Sequence, residues 1–330
     1  MAWPILLALA GTAAATTFPL PPDGSDLVGT PLSVSARYED TLVDLGNAHD
    51  IGYLAMRNAN PDVDPWLPGT GTTVVIPAQR ILPAAPREGV VINLPEMRLY
   101  YYPPGGREVV SHPVSIGRMD WSTPLGVMRV IQKTENPAWH PPDSVRTAYL
   151  ERGVELPDVV PPGPRNPLGT HALRLSNPSY LIHGTSWPHG IGMRVTHGCI
   201  RLSQEAVVGV FEQIPVGTTV RVVNQPLKAG WSGDRLYVEA HPPLEELHDP
   251  QYQTPMVRVL VAAMGEEKVS VDWERVRQVM REARGVPVAV ATRGPVLHMA
   301  ADPQAVDDGK NVPPQENGIK KAPVPGGNGG

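Results

Sequence analysis

The sequence is short of several things, and each shortage excludes something. Its 330 residues include one cysteine, Cys199, so no disulfide can form within the chain. No stretch reaches the roughly 18 apolar residues a membrane helix requires. Basic runs are missing as well. With a formal net charge of −5 and no cluster of Lys and Arg, the chain is not built for nucleic acid. No internal repeat occurs, which sets aside solenoids and propellers. Apolar residues are not lacking: at 41% they suffice for real cores. The length suggests about two domains plus extras, at roughly 100–200 residues per domain.

What is abundant is proline, 39 residues against an average near 5%. Proline lacks the N–H that helix interiors need, so the composition points to a loop-rich, mainly β protein. The first residues, "MAWPILLALAGTAAATTFPL", carry an apolar core over Ile5–Ala10 and small residues at Ala13-Ala14-Ala15. That pattern predicts a cleaved signal peptide over residues 1–15, although no Lys or Arg precedes the apolar run. Export makes the lone cysteine informative. Exported proteins usually pair their cysteines, so Cys199 is either a reactive thiol or a small buried hydrophobe.

Residues 16–34 read as a connector. In 35–79, Leu42, Leu45 and Ala48 suit one helix, Ile51, Leu54 and Ala55 a second, and Val74-Val75-Ile76 a closing strand. This predicts a strand–helix–helix–strand unit. Residues 80–88, "RILPAAPRE", read as a linker. From Gly89 the pattern turns to strands: two in "VVINLPEMRLYYY" with a bend at Pro95-Glu96, then Val109–Gly117 and Val127–Gln132. Residues 134–170 are proline-dense and aperiodic, the signature of a lid or binding loop around Trp139. "HALRL" and "YLIHG" are short strands. Ser203 caps a helix with Ala206, Val207, Val210, Phe211 and Ile214 at helical spacing. Thr218–Val223 closes that domain, which spans 89–223. Residues 224–299 form a small C-terminal domain. It has a strand in "RLYVEAH" and a helix capped by Asp272, with Trp273, Val276, Met280 and Ala283 on one face and Gly285 as its stop. The polar residues 300–330 read as a disordered tail.

The chemistry concentrates in "HGTSWPHGIGMRVTHGCIRL", His183 to Leu202. A thiol nucleophile needs a base or a positive field nearby, a proton carrier for the leaving group, and donors for the oxyanion. Gly198 ahead of Cys199 lets backbone and substrate approach closely. His183 ends an apolar strand that would hold it on a rigid element. Arg201, two residues past Cys199, shares its face in an extended segment, where it can hold a carboxylate or bias the thiol toward thiolate. On spacing alone either His183 or His197 can serve the thiol. His189 reads as a loop residue. The spacing His-x5-His-x7-His-x-Cys fits no common metal-ligand pattern, so no metal and no cofactor is expected.

His183-Gly184-Thr185 followed by Thr196-His197-Gly198-Cys199-Ile200-Arg201-Leu202 resembles the signature of the L,D-transpeptidases with the YkuD-type catalytic domain. Gly117, Thr123-Pro124-Leu125-Gly126 and Asn166-Pro167-Leu168-Gly169 add to the resemblance, which covers about Gly89 to Val223. It implies a YkuD-like β-sandwich or barrel with a few helices. It implies Cys199 as nucleophile and His183 as proton donor and acceptor, its ring oriented by a neighbouring backbone carbonyl. His197, Gly198 and Arg201 then serve substrate and oxyanion, with Gly184, Thr185 and Thr196 as supporting positions. The implied substrates are peptidoglycan stem peptides. Attack falls on the diamino-acid carbonyl of a tetrapeptide, D-Ala leaves, and an amine of another stem or of an outer-membrane lipoprotein resolves the thioester. Water as acceptor would make the chain a carboxypeptidase. A non-catalytic wall-binding module is the reading from a different class. Residues 35–79 resemble a LysM module, in Asp40-Thr41-Leu42, Asn58-Ala59-Asn60-Pro61 and Leu67-Pro68-Gly69, which implies binding to glycan strands. They depart from it at Glu39, where the family usually has glycine; the alternative is a helical hairpin that only packs on its neighbour. The flanking modules match the arrangement of the Gram-negative branch, which implies a wall-associated periplasmic protein.

Overall fold

The computed structural model describes residues 16–247 and 255–293; the expected signal segment and tail lie outside them. Residues 16–34 are not a connector. They hold β1 (Thr16–Pro19), β2 (Leu27–Val28) and β3 (Leu32–Ser35). The third opens the strand–helix–helix–strand unit, which therefore begins at Leu32. It runs through α1 (Leu42–Ala48) and α2 (Tyr53–Ala59) to β4 (Thr73–Ile76), which pairs with β3. Thr41 caps α1 by accepting from the Asp44 amide at 3.1 Å. Leu42, Ile51, Met56, Val74 and Ile76 give the unit its own core. Asn60 sews α2 to β4, donating to the Met56 and Val75 carbonyls at 2.9 and 2.8 Å and accepting from the Val75 amide at 2.7 Å. Where a linker was expected, β5 (Arg80–Ile81) pairs with β2. Strands of two residues, β2 and β5, show no periodicity, and the four-residue β1 and β3 are too short to stand out against the proline around them.

The central domain carries β6 (Gly89–Asn93), β7 (Arg98–Tyr102), β8 (Glu108–Pro113), β9 (Ile116–Gly117) and β10 (Gly126–Glu135). After them come α3 (Asp143–Leu150), β11 (His171–Leu175), β12 (Leu181–His183), β13 (Arg194–Thr196), β14 (Ile200–Arg201), α4 (Gln204–Gln213) and β15 (Thr219–Val223). Nine strands make one sheet in the order β1-β8-β7-β6-β15-β10-β11-β12-β14, and β13 pairs with β9 beside it. Val90, Ile92 and Leu99 from one half of the sheet share a core with Leu173, Ile182 and Ile200 from the other. The sheet therefore curls over its own face. The curl is stitched where Ser115, just past β8, exchanges two backbone hydrogen bonds with Arg201 of the far edge strand, at 2.8 and 3.0 Å. On the outer face Val91, Tyr100, Tyr102 and Val109 are covered by Val28 and Leu82. Strand β6 is thus buried on both faces, which accounts for its unbroken apolar run.

Helix α4 starts as expected, with the Ser203 hydroxyl accepting from the Ala206 amide at 3.1 Å, and buries Ala206, Val207 and Val210. The C-terminal domain adds β16 (Leu227–Ser232), β17 (Arg235–Ala240), α5 (Pro255–Met264), α6 (Trp273–Glu282) and β18 (Val288–Thr292). Asp272 caps α6, but the buried face is Val276 and Val279. Trp273 and Met280 are exposed at 42% and 37%, so the expected four-residue face is shifted. The helix ends at a left-handed Ala283, ahead of Gly285. The two domains meet at a buried cation. Lys228 Nζ lies 2.9 Å from both Glu96 and Glu239 and donates to the Ile81 carbonyl at 2.6 Å. No helix among the described residues is long and apolar enough to cross a membrane.

Candidate active site

Strands β12 and β14 pair in parallel, Ile182 opposite Ile200 and His183 opposite Arg201. Both isoleucines are buried in the core, at 0% and 1% exposure. Alternation then turns His183 and Arg201 to the other face, together with Cys199, immediately ahead of β14. His183 and Cys199 thus lie diagonally across adjoining strands, with backbones about 8 Å apart from the usual strand spacing and rise. The half-buried thiol rests over the start of β12, its Sγ 3.8 Å from the Ser179 carbonyl.

The proton inventory follows from neighbours. His183 Nδ1 lies 2.6 Å from the Gly184 carbonyl. A carbonyl can only accept, so Nδ1 carries the proton and Nε2 keeps a free lone pair. Burial, reinforced by the Arg201 charge, lowers the His183 pKa to about 4 against the Gly184 bond, which raises it. The ring is neutral at pH 7. Burial pushes the Cys199 thiol up, and this outweighs the downward pull of the Leu181 amide and Arg201. Arg201 does pull toward thiolate, as its position suggested, but desolvation wins. The resting pair is a neutral thiol beside a neutral imidazole.

The surrounding positions divide into props and walls. Thr196 is buried; its hydroxyl donates to the Cys199 carbonyl at 2.7 Å and accepts from the Gly198 amide at 3.2 Å. The Gly198 N–H is therefore engaged and is not a free oxyanion donor. Gly198 serves by shape: its φ is +101°, and a Cβ there would stand 2.8 Å from Tyr180 Cε1. Thr123 donates to the Gly198 carbonyl at 2.9 Å and accepts from the Gly117 amide at 3.1 Å. Thr185 accepts from the Trp187 amide at 2.9 Å, and the Gly184 amide donates to the His171 carbonyl at 3.2 Å. Both hydrogen bonds hold the loop. Asn166, also buried, donates to the Pro137 carbonyl at 2.8 Å and accepts from the Leu168 amide at 2.9 Å.

His197 forms a wall. The Trp121 ring meets it edge-on at 4.8 Å, and Tyr149 of α3 lies 6.2 Å away. The 134–170 insertion is therefore not structureless; it contributes a helix to the site. Trp139, the residue singled out there, pairs through its backbone with Val160 inside the insertion. Trp121 and Tyr149 lie against His197 and Tyr180 against Gly198, and no motif marked these three. Only Tyr149 had a signal, its place in the suspect insertion. Arg201 Nε is buried without a hydrogen-bond partner among the described residues. His189 is exposed in the turn 188–190. Among the described residues the group with ligand geometry for a metal is Glu96, Glu239 and His241, and the Lys228 ammonium already lies against both its carboxylates.

A curled sheet that carries an oriented, neutral imidazole and a thiol on adjoining parallel strands is equipped for acyl transfer: one atom to attack a carbonyl, another to carry the proton. The comparisons with known proteins narrow that class, and the chain belongs to the L,D-transpeptidase family. The model of the YkuD L,D-transpeptidase catalytic domain matches residues 87–222. The chain is similar to the probable L,D-transpeptidase YcfS of Escherichia coli K12, 43% identical over 292 residues, covering 86% of this chain and 91% of that one. It is similar also to the probable L,D-transpeptidase YbiS of the same strain, 44% identical over 237 residues, covering 71% and 77%. Among solved structures, L,D-transpeptidase 3 from Mycobacterium tuberculosis aligns at a TM-score of 0.32 and 17% identity, over 59% of this chain and 92% of that one.

Proposed function

We propose that this protein is a periplasmic, cysteine-dependent L,D-transpeptidase of peptidoglycan. The observation that carries the reading is the placement of Cys199 and His183 on one face of paired strands, with His183 Nδ1 tied to the Gly184 carbonyl. As a tetrapeptide stem binds, His183 Nε2 takes the thiol proton while Sγ attacks the carbonyl of the diamino acid. The tetrahedral intermediate collapses to a thioester, and the imidazolium returns its proton to the departing D-Ala amine. An acceptor amine then attacks the thioester and gives its proton to His183, and the thiol is restored. Because both partners start neutral, proton transfer accompanies attack instead of preceding it. The unpartnered Arg201 Nε is a donor suited to a stem-peptide carboxylate.

The acceptor amine belongs to a second stem, giving a 3→3 cross-link, or to a lysine of an outer-membrane lipoprotein. We assign its approach to the side walled by His197, Trp121 and Tyr149, whose rings pack together. The N-terminal module holds glycan strands. Trp66, 60% exposed, stacks on Tyr53 at 6.1 Å and offers a flat apolar face of the kind sugars pack on.

The test is mass spectrometry of the purified protein with a disaccharide-tetrapeptide, alongside Cys199→Ala. Wild type should gain an acyl adduct on Cys199, release D-Ala and form a cross-linked dimer, all absent from the variant. An adduct without dimer, resolved by a lysine-terminated peptide, assigns the lipoprotein as acceptor; resolution by water alone assigns a carboxypeptidase. No adduct on a folded wild-type protein leaves a wall-binding module.

A further inference from the structure

We infer that the N-terminal module is a working part of the catalytic site: it positions the loop that carries Cys199, whether or not glycan is bound to it. The inference rests on reading Cys199 as the nucleophile.

The evidence begins at α2. Its first amides need acceptors, and its N-cap residue, Gly52, has no side chain to offer one. The acceptors come from the other domain. The Tyr53 amide donates to the Ile191 carbonyl at 3.0 Å, and the Leu54 amide to the Gly192 carbonyl at 3.2 Å. Ile191 and Gly192 belong to the loop between His183 and Cys199. The backbones are in direct contact there. A Cβ on Gly52 would fall 2.7 Å from Gly192 Cα, and one on Gly192 would fall 2.3 Å from Gly52 Cα. Both clashes are with backbone, which cannot rotate aside.

The module is itself anchored to the sheet, so it can act as a support. Buried Arg98 donates to the Asp50 carbonyl at 2.7 Å, and His112 lies 3.3 Å from the Asp50 carboxylate. Leu54 packs on the main core. From the opposite side the Ser115 hydroxyl donates to the Gly190 carbonyl at 2.5 Å, and the Ile116 amide to the Met193 carbonyl at 3.1 Å. The loop is held between module and sheet just before it enters β13, Thr196, Gly198 and the thiol. A shift at Gly192 is passed to Cys199 along a segment of six residues, in which the Thr196 hydroxyl ties the end of β13 to the Gly198 amide and the Cys199 carbonyl. A module that merely tethered the enzyme to glycan would need none of these contacts.

The experiment compares Gly52→Ala with Gly71→Ala in the full chain, using a tetrapeptide without sugar so that glycan binding cannot contribute. Gly71 is in the same module at φ +84°, with nothing within 4 Å of the added Cβ, so Gly71→Ala strains the module without touching the dock. Single-turnover acylation is followed by mass spectrometry over a range of peptide concentrations, with melting midpoints for each protein. Gly52→Ala should lower the maximal acylation rate roughly 10- to 100-fold at an unchanged half-saturating concentration, since an ångström of misplacement has that effect on an aligned nucleophile. Gly71→Ala should keep both values. If Gly52→Ala does not fold, Ser115→Ala loosens the same loop from the sheet side and should lower the maximal rate in the same way. Equal rates in Gly52→Ala and Gly71→Ala, or a change only in half-saturation, overturn the inference. A wild type that forms no acyl adduct overturns instead the reading of Cys199 on which it rests.

Discussion

Lowering the pH perturbs the proposed catalytic pair, Cys199 and His183, in a direction the structure dictates. His183 is 5% exposed and its pKa falls to about 4, against about 6.5 in an unfolded chain. Between those values the unfolded chain binds a proton that the folded chain refuses, so stability must fall as pH falls through this window. The decrease from 6.5 to about 4, at 1.36 kcal/mol per pKa unit, amounts to about 3 kcal/mol, fully present above pH 6.5 and fully lost below pH 4. Urea titrations at pH 7 and pH 4.5 measure it, with His183→Gln as the reference: the wild type should lose more stability than the variant between the two. The same neutral ring predicts a rate profile. The acylation kcat/KM should show no acid limb near pH 6.5, stay level through neutrality, and fall only as pH approaches 4. On the alkaline side it should fall only above the ordinary thiol range, where the proton that His183 passes to the leaving amine is lost, because burial raises the Cys199 pKa. An acid limb near 6.5 with identical wild-type and His183→Gln stability profiles would refute the reasoning and assign a solvated imidazole with its ordinary pKa.

Gly198→Ala should impair acylation without unfolding the protein, because the new Cβ meets Tyr180 at 2.8 Å with φ at +101°. The strain is about 1–3 kcal/mol, read as a lower melting midpoint, and acylation at saturating tetrapeptide should fall with it. Lys228→Met should destabilise the fold by about 3–5 kcal/mol in denaturant titrations, since Glu96 and Glu239 would lose the ammonium between them and keep only the His241 ring, 2.6 Å from Glu239; a loss under 1 kcal/mol would mean that the site is neutralised by proton uptake.

Much of the local structure was legible from particular residues. Ser203 and Asp272 marked their helix starts, since a side-chain oxygen ahead of an apolar period is a signal complete within a few positions. The strand–helix–helix–strand order of the N-terminal unit followed from apolar spacing in the same way. The face of α6 was misjudged because Trp273 and Met280 fit the period as well as Val279 does, and only the neighbouring sheet decides which are covered. Helix α5 was not anticipated. The strands at 16–34 and 80–88 were missed for another reason: β1 forms only by adding to the edge of β8, β2 and β5 form only by pairing with each other where Val28 and Leu82 cover the outer face of the sheet, and nothing local announces either.

The site shows the same division. The order His183, Gly184, Thr196, Gly198, Cys199, Arg201 stands in the sequence, and it was enough to expect a thiol and an imidazole working together. Spacing alone left open which histidine, which the family resemblance assigned to His183, and it left the charge state undetermined. The parallel register of β12 on β14, stitched by Ser115 across the curl of the sheet, brings His183 to the face of Cys199. Burial makes both groups neutral, with the Arg201 charge acting alongside it at His183 and against it at Cys199. Helix α3 sets Tyr149 beside His197, and the backbone contact of Gly52 with Gly192 ties the N-terminal module to the loop between the two halves of the motif. These features depend on residues tens of positions apart and on the exclusion of water, and neither is encoded within any one stretch. The sequence by itself determined which chemical groups are present and in what local conformations; the tertiary structure alone decided which of them meet, and in what state of protonation.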